Sequence, residues 1–134
     1  MENIMQAGFA CVDITPYMGL NLQGYYHARY ATGIEDRLCL RAAAFAFGDE
    51  KAIIFNCEAI DMKAVAYDVI KKKVAAACGI SEDAIYINCV HTHTAFRFYD
   101  AEVGECSRHA CRVGIVGVDD KRVVIGAFQL RTVV

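Results

Sequence analysis

Apolar and polar positions divide this chain into short runs of different period. Residues 7–15, AGFACVDIT, are apolar and rich in strand formers, and Pro16 closes the run because proline cannot donate to a ladder. A first strand is predicted there. The next stretch, YMGLNLQGYYHARYATGIEDR, has glycines at 19, 24 and 33 and no sustained period, which predicts a long loop of the kind that often carries function. LCLRAAAFAF and KAIIFNCEAI then flank Gly48-Asp49-Glu50, an apolar, turn, apolar pattern that predicts an antiparallel hairpin over residues 38–59. From Met62 the period changes to that of a helix, with Val65, Ala66, Val69, Ile70 and Val74 on one stripe. The expected helix spans 62–78, with Asp61 as N-cap and Gly79 as the stop. AIYINCV, residues 84–90, is a short apolar strand that delivers His91 and His93 at its carboxyl end.

Strand, helix, strand is a βαβ unit, in which the two strands become parallel neighbours joined by a right-handed crossover. The expected fold class is therefore α/β: one small domain with a mixed sheet, built from a β-hairpin plus the βαβ unit. Ligands gather beyond the carboxyl ends of such parallel strands. Glu58 and Asp61, which follow the earlier strand, are expected near His91 and His93.

Composition changes along the chain. The last forty residues hold five of the eight arginines but one of the six lysines, which sets residues 95–134 apart from 1–94. CRVGIVGV and RVVIGAFQL, on either side of Asp119-Asp120, can still form a C-terminal hairpin. The 134 residues suffice for one domain with a core, and 56% hydrophobic with 22% charged residues is the profile of a packed protein. A net charge of −2 offers no electrostatic footprint for nucleic acid, and the Lys71-Lys72-Lys73 run reads as a solvated helix face. No apolar run reaches the roughly 18 residues of a transmembrane segment, and the start lacks a basic region followed by an apolar signal core. Seven cysteines, an odd number without CxxC spacing, read as reduced thiols, so the expected location is cytoplasmic.

The candidate chemistry centres on His91 and His93. On a strand, residues i and i+2 share a face, so the two imidazoles could meet one zinc ion or one substrate; a bare H-x-H is as readily a pair of backbone-bonded histidines. His27 and His109 read as exposed or structural. Cys106, His109 and Cys111 have a spacing that matches no standard zinc site. Asp61 is accounted for by capping and Glu58 by a solvated strand end.

Several separated motifs then agree. AGFACVDITPYMGLNLQGYY, GIEDRLCLRAAAF, AIIFNCEAID and ISEDAIYINCVHTHT, in this order and spacing, resemble the N-terminal part of the neutral/alkaline non-lysosomal ceramidase family over residues 7–94. The resemblance implies a zinc-dependent amidase that cleaves the N-acyl bond of ceramide-like lipids or other N-acyl substrates. It also implies that His91, the first histidine of the HTH motif, is a zinc ligand. The resemblance likewise implies that His93, the second histidine of the motif, belongs to the same active site and binds the developing oxyanion or the substrate. The family continues this motif with Gly-Pro, whereas Ala95-Phe96 follows here, and the family's later ligands, a histidine, a glutamate and a tyrosine, have no matching positions.

The resulting expectation is a truncated, inactive fragment whose last forty residues are unrelated to the family, through a shifted reading frame or a gene-model error. Two alternatives stand beside it. One is a non-catalytic α/β module that self-associates through strand edges and apolar surface. The other is a small metal-binding protein using His91, His93 and one of Glu58, Asp61 or Cys57.

Overall fold

A computed structural model describes residues 4–16 and 18–96, together with the backbone of strands at 116–119, 122–125 and 128–129. The first part is an α/β domain with a four-stranded mixed sheet and one helix. Its strands are β1 (Gln6–Asp13), β4 (Cys39–Phe47), β5 (Glu50–Cys57) and β6 (Ile85–Cys89), side by side in the order β1-β4-β5-β6. β1 with β4 and β4 with β5 are antiparallel, and β5 with β6 is parallel. Phe47 faces Glu50 across the two-residue turn Gly48-Asp49, and Gly48 takes φ 59°, a value that costs glycine little. The expected hairpin is present.

α1 (Ala64–Cys78) crosses from β5 to β6. It starts two residues later than the periodicity predicts, and Asp61 is not its cap. Met62 and Lys63 precede the first turn; Lys63 is the extended N-cap and makes no side-chain capping bond. Gly79 does stop the helix: at φ 62° its N–H returns to the Ala75 carbonyl. Ser81 then accepts the Asp83 N–H at 3.2 Å and caps a single 3₁₀ turn, Glu82–Ala84, that feeds β6.

Strand alternation decides where the core lies. Ala42, Ala44, Ile53, Phe55, Ile85 and Ile87 point to one face and are buried. The apolar stripe of α1, with Tyr67, Ile70 and Val74, packs against them. Lys72 and Lys73 are exposed, as expected of a solvated face, while the Lys71 ammonium lies 5.4 Å from the Tyr67 ring. The predicted long loop contains β2 (Asn21–Leu22) and β3 (Arg29–Tyr30), a two-residue antiparallel ladder too short to leave a periodic signal. In the tail, β7 (Val116–Asp119) pairs with β8 (Arg122–Ile125) as the expected hairpin, and β9 (Phe128–Gln129) adds a third strand. No helix among the described residues is long and apolar enough to cross a membrane.

Two carboxylates fasten strand ends, Asp13 joining the end of β1 to Arg37 just before β4 and Glu58 joining the residue after β5 to β4. Asp13 accepts from the Thr15 N–H at 2.8 Å and from Arg37 at 2.5 Å, and these bonds, Thr15 first, hold its pKa down at about 2. Glu58 accepts from the Cys39 N–H at 2.7 Å and pairs with the Arg41 guanidinium, which is the main cause of its own lowered pKa. Both groups are depressed on folding, so each stabilises the native state above its ordinary carboxylate range and loses that contribution as acid protonates it. Unfolding midpoints in urea should therefore fall between about pH 5 and pH 2, with Asp13→Asn and Glu58→Gln each flattening the slope. An Ile53→Ala variant, at a site 1% exposed, should cost about 2–4 kcal/mol in the same assay at neutral pH.

Candidate functional site

The parallel pair runs on past its last ladder residues. Val90 N–H donates to Cys57 O at 3.0 Å and His91 N–H to Ala59 O at 3.1 Å, so the segment 58–61 stays beside the segment that carries the histidines. Beneath them Cys57, Ala59 and Ala66 are buried, with Ile14, Leu40, Met62 and Phe96 packed around. The site rests on a floor made from four separate parts of the chain.

His91 is not on a strand. β6 ends at Cys89, and His91 takes φ 61°, the left-handed region that costs a non-glycine residue about 1–2 kcal/mol. Two bonds fix it there: its backbone N–H to Ala59, and its ring Nδ1 to the Ile60 carbonyl at 2.9 Å. A carbonyl oxygen can only accept, so Nδ1 carries the proton. In the neutral ring the lone pair is then on Nε2. This is the arrangement by which backbone carbonyls orient metal-ligating imidazoles.

His93 comes next to His91 through the turn that follows. The ring centroids are 5.2 Å apart at 72°, and both residues are exposed. The pairing predicted from the sequence is present, but the turn and the left-handed residue produce it, not the pleat of a strand. Thr92 and Thr94 brace the turn through their hydroxyls, 2.9 Å apart.

The long loop closes over this turn. Gln23 N–H donates to Ala95 O and Ile60 N–H to Phe96 O, each at 3.2 Å. Tyr25 then stands edge-on to His93 with centroids 5.8 Å apart, and the Arg29 guanidinium lies 4.3 Å from the Tyr25 ring centre. Gly24 makes the approach possible. A Cβ there would sit 2.4 Å from His93 Nδ1 and 2.8 Å from Ile60 Cδ1, and the residue's φ of 91° is itself a glycine conformation.

Glu58 does not join the histidines. Its two oxygens face β4, on Cys39 and Arg41. Asp61 follows Ile60, and its charge acts on the Cys89 thiol, where it and burial oppose the lowering caused by the hydrogen bond from Cys57. Cys57 is buried beneath the site at 1% exposure. His27 is exposed in the loop, while Cys106, His109 and Cys111 lie outside the described residues. Among the described residues no three His, Cys, Asp or Glu side chains converge as a metal cage. The chemistry of His91 and His93 fits two nitrogen ligands of zinc, which needs at least three protein ligands in known catalytic sites.

Comparisons with protein-family models, curated proteins and solved structures found no match for this chain.

Sequence reasoning found the histidines and flagged the loop, but it missed Gly24, Tyr25, Arg29 and the Ile60 carbonyl. Gly24 and Tyr25 lie in a glycine- and tyrosine-rich stretch, LQGYY, and that was the available signal. A Gly24→Ala variant should displace the His93 ring and cost about 1–3 kcal/mol. Imidazole NMR signals of His93 identical to those of the parent would contradict the packing.

Proposed function

We propose that residues 7–94 form the N-terminal, histidine-bearing part of a zinc-dependent amide hydrolase resembling the neutral ceramidases. Its substrate class is ceramide-like lipids or other N-acyl compounds. The observation that carries this reading is the Nδ1 bond from His91 to Ile60, which leaves Nε2 as the donor atom beside His93 at the carboxyl end of a parallel strand. The motif order given above supports it.

In this reading His91 holds zinc through Nε2. A zinc ion held by His91 would supply Lewis-acid polarisation of an amide carbonyl and a bound water of lowered pKa. The chain's own contributions are positional. The Ile60 carbonyl fixes the His91 tautomer and ring orientation. His93, held between Gly24, Tyr25 and His91, is placed to donate a hydrogen bond to an oxygen that gains negative charge. Arg29, over the Tyr25 ring, adds positive charge to the loop that covers the site. Among the described residues this reading gives zinc one ligand, His91, so they would hold the metal weakly and would not hydrolyse the amide by themselves. A cytoplasmic location, suggested by the odd cysteine count, belongs to the same proposal.

Isothermal titration with zinc chloride tests the site. One zinc should bind per chain, with His91→Ala abolishing it and His93→Ala weakening it by about tenfold or more. Absence of zinc binding by the parent would remove the metal reading. Release of fatty acid from a short-chain ceramide by the purified chain would contradict the proposed inactivity.

A further inference from the structure

Five cysteines lie among the described residues, all as free thiols, and strand register brings four of them into two cross-strand pairs. Cys11 and Cys39 are diagonal neighbours on β1 and β4: Cys11 faces Arg41, and Cys39 faces Asp13. Cys57 and Cys89 face each other directly, as the last residues of β5 and β6. Alternation turns both side chains of this second pair to the α1 face, because Ile53, Phe55 and Cys57 follow at every second residue of β5, as Ile85, Ile87 and Cys89 do along β6. The two sulfurs are neighbours, and the Cys57 thiol bonds to that of Cys89. Ala59 and Ala66 are buried with Cys57, and Cys89 packs against this cluster from the side. Cys57 is 1% exposed, whereas Cys89 is half-buried. A reagent from solvent meets Cys89 first and reaches Cys57 only through it.

Strand spacing sets what this pair can do. Neighbouring strands lie about 4.8 Å apart, inside the roughly 4.4–6.8 Å of Cα separation that a disulfide spans. Side chains in register and pointing the same way keep their Cβ atoms near that spacing, about 1 Å wider than the mean for a relaxed disulfide. A bond between Cys57 and Cys89 therefore draws the strand ends together. Such a bridge stores strain and is readily reduced, which makes it a labile link and not a permanent staple.

We propose that Cys57 and Cys89 form a reversible disulfide in response to a hydroperoxide, and that this bond adjusts the histidine site beside it. The Cys89 sulfur attacks one oxygen of hydrogen peroxide and the O–O bond breaks; the leaving hydroxide takes the thiol proton as water, and Cys89 becomes a sulfenic acid. The Cys57 sulfur then attacks the Cys89 sulfur and the S–O bond breaks, with the Cys57 proton leaving in a second water. Two thiols have lost two electrons, and the peroxide has gained them. A small dithiol reverses the step by exchange and is itself oxidised to a disulfide. Position couples the bond to the site. Val90 N–H donates to Cys57 O, and His91, two residues past Cys89, bonds Ala59 through its backbone and Ile60 through its ring. Drawing Cys57 towards Cys89 shifts the frame that these three bonds span. The proposal is independent of the zinc reading, because no metal takes part in either step.

Hydrogen peroxide added to the full chain without metal, followed by alkylation of the remaining thiols and peptide mapping by mass spectrometry, tests it. Peptides linked through Cys57 and Cys89 should be found in most of the molecules and be lost on treatment with dithiothreitol. The imidazole NMR signals of His91 should move on oxidation and return on reduction. Cys89→Ser should abolish both effects, and Cys57→Ala should leave Cys89 as a sulfenic acid that dimedone traps. Should Cys57→Ala fail to fold, Cys89→Ser, at the half-buried member of the pair, carries the comparison alone. Oxidation of Cys89 in the parent to a sulfinic or sulfonic acid, or its linkage to any cysteine other than Cys57, overturns the proposal. So does a parent that forms no Cys57–Cys89 link, or a link that leaves the His91 signals unmoved.

Discussion

The parallel pairing of β5 with β6 is the constraint on which the rest depends. Parallel neighbours cannot be joined by a tight turn, so the chain must cross over the sheet, and α1 is that crossing. The crossing buries the face of Ile53, Phe55, Ile85 and Ile87. It also brings both carboxyl ends to the same edge, where Ala59 and Ile60 can bond the backbone and ring of His91. Without the parallel register, His91 would have no neighbouring carbonyl to select its tautomer.

The site sits where regular structure gives out. β6 supplies direction, and the ladder's two extra hydrogen bonds carry that direction to Val90 and His91. After that, one left-handed residue and a threonine-braced turn bring the second imidazole back to the first. Strain at His91 persists because its backbone and side chain are bonded to consecutive residues of the neighbouring segment. The loop then packs on the result through the one residue type that fits, Gly24.

Much of the fold was legible because its signals are local. Alternation in β4 and β5, the Gly48-Asp49 turn and the helical stripe ending at Gly79 each follow from a few adjacent side chains, and together they require the mixed α/β sheet. Where the reading failed, partners distant in sequence decided. Asp61 has the chemistry of a cap, but the chain remains extended through Lys63. Glu58 turns toward β4 because Arg41 and the Cys39 N–H are on that side. His91 and His93 were found by residue type, yet their geometry depends on a left-handed φ that no strand pattern encodes. Gly24, Tyr25 and Arg29 reach His93 only through the fold of a loop whose sequence has no period.

A catalytic reading of this chain stands or falls on which nitrogen of His91 is free. Long-range ¹H–¹⁵N NMR correlation of the histidine rings at a pH where they are neutral measures it directly. The account predicts that His91 carries its proton on Nδ1, with Nε2 unprotonated, and that zinc chloride shifts the Nε2 resonance first. A His91 ring protonated on Nε2, with Nδ1 as the lone-pair nitrogen, would contradict it.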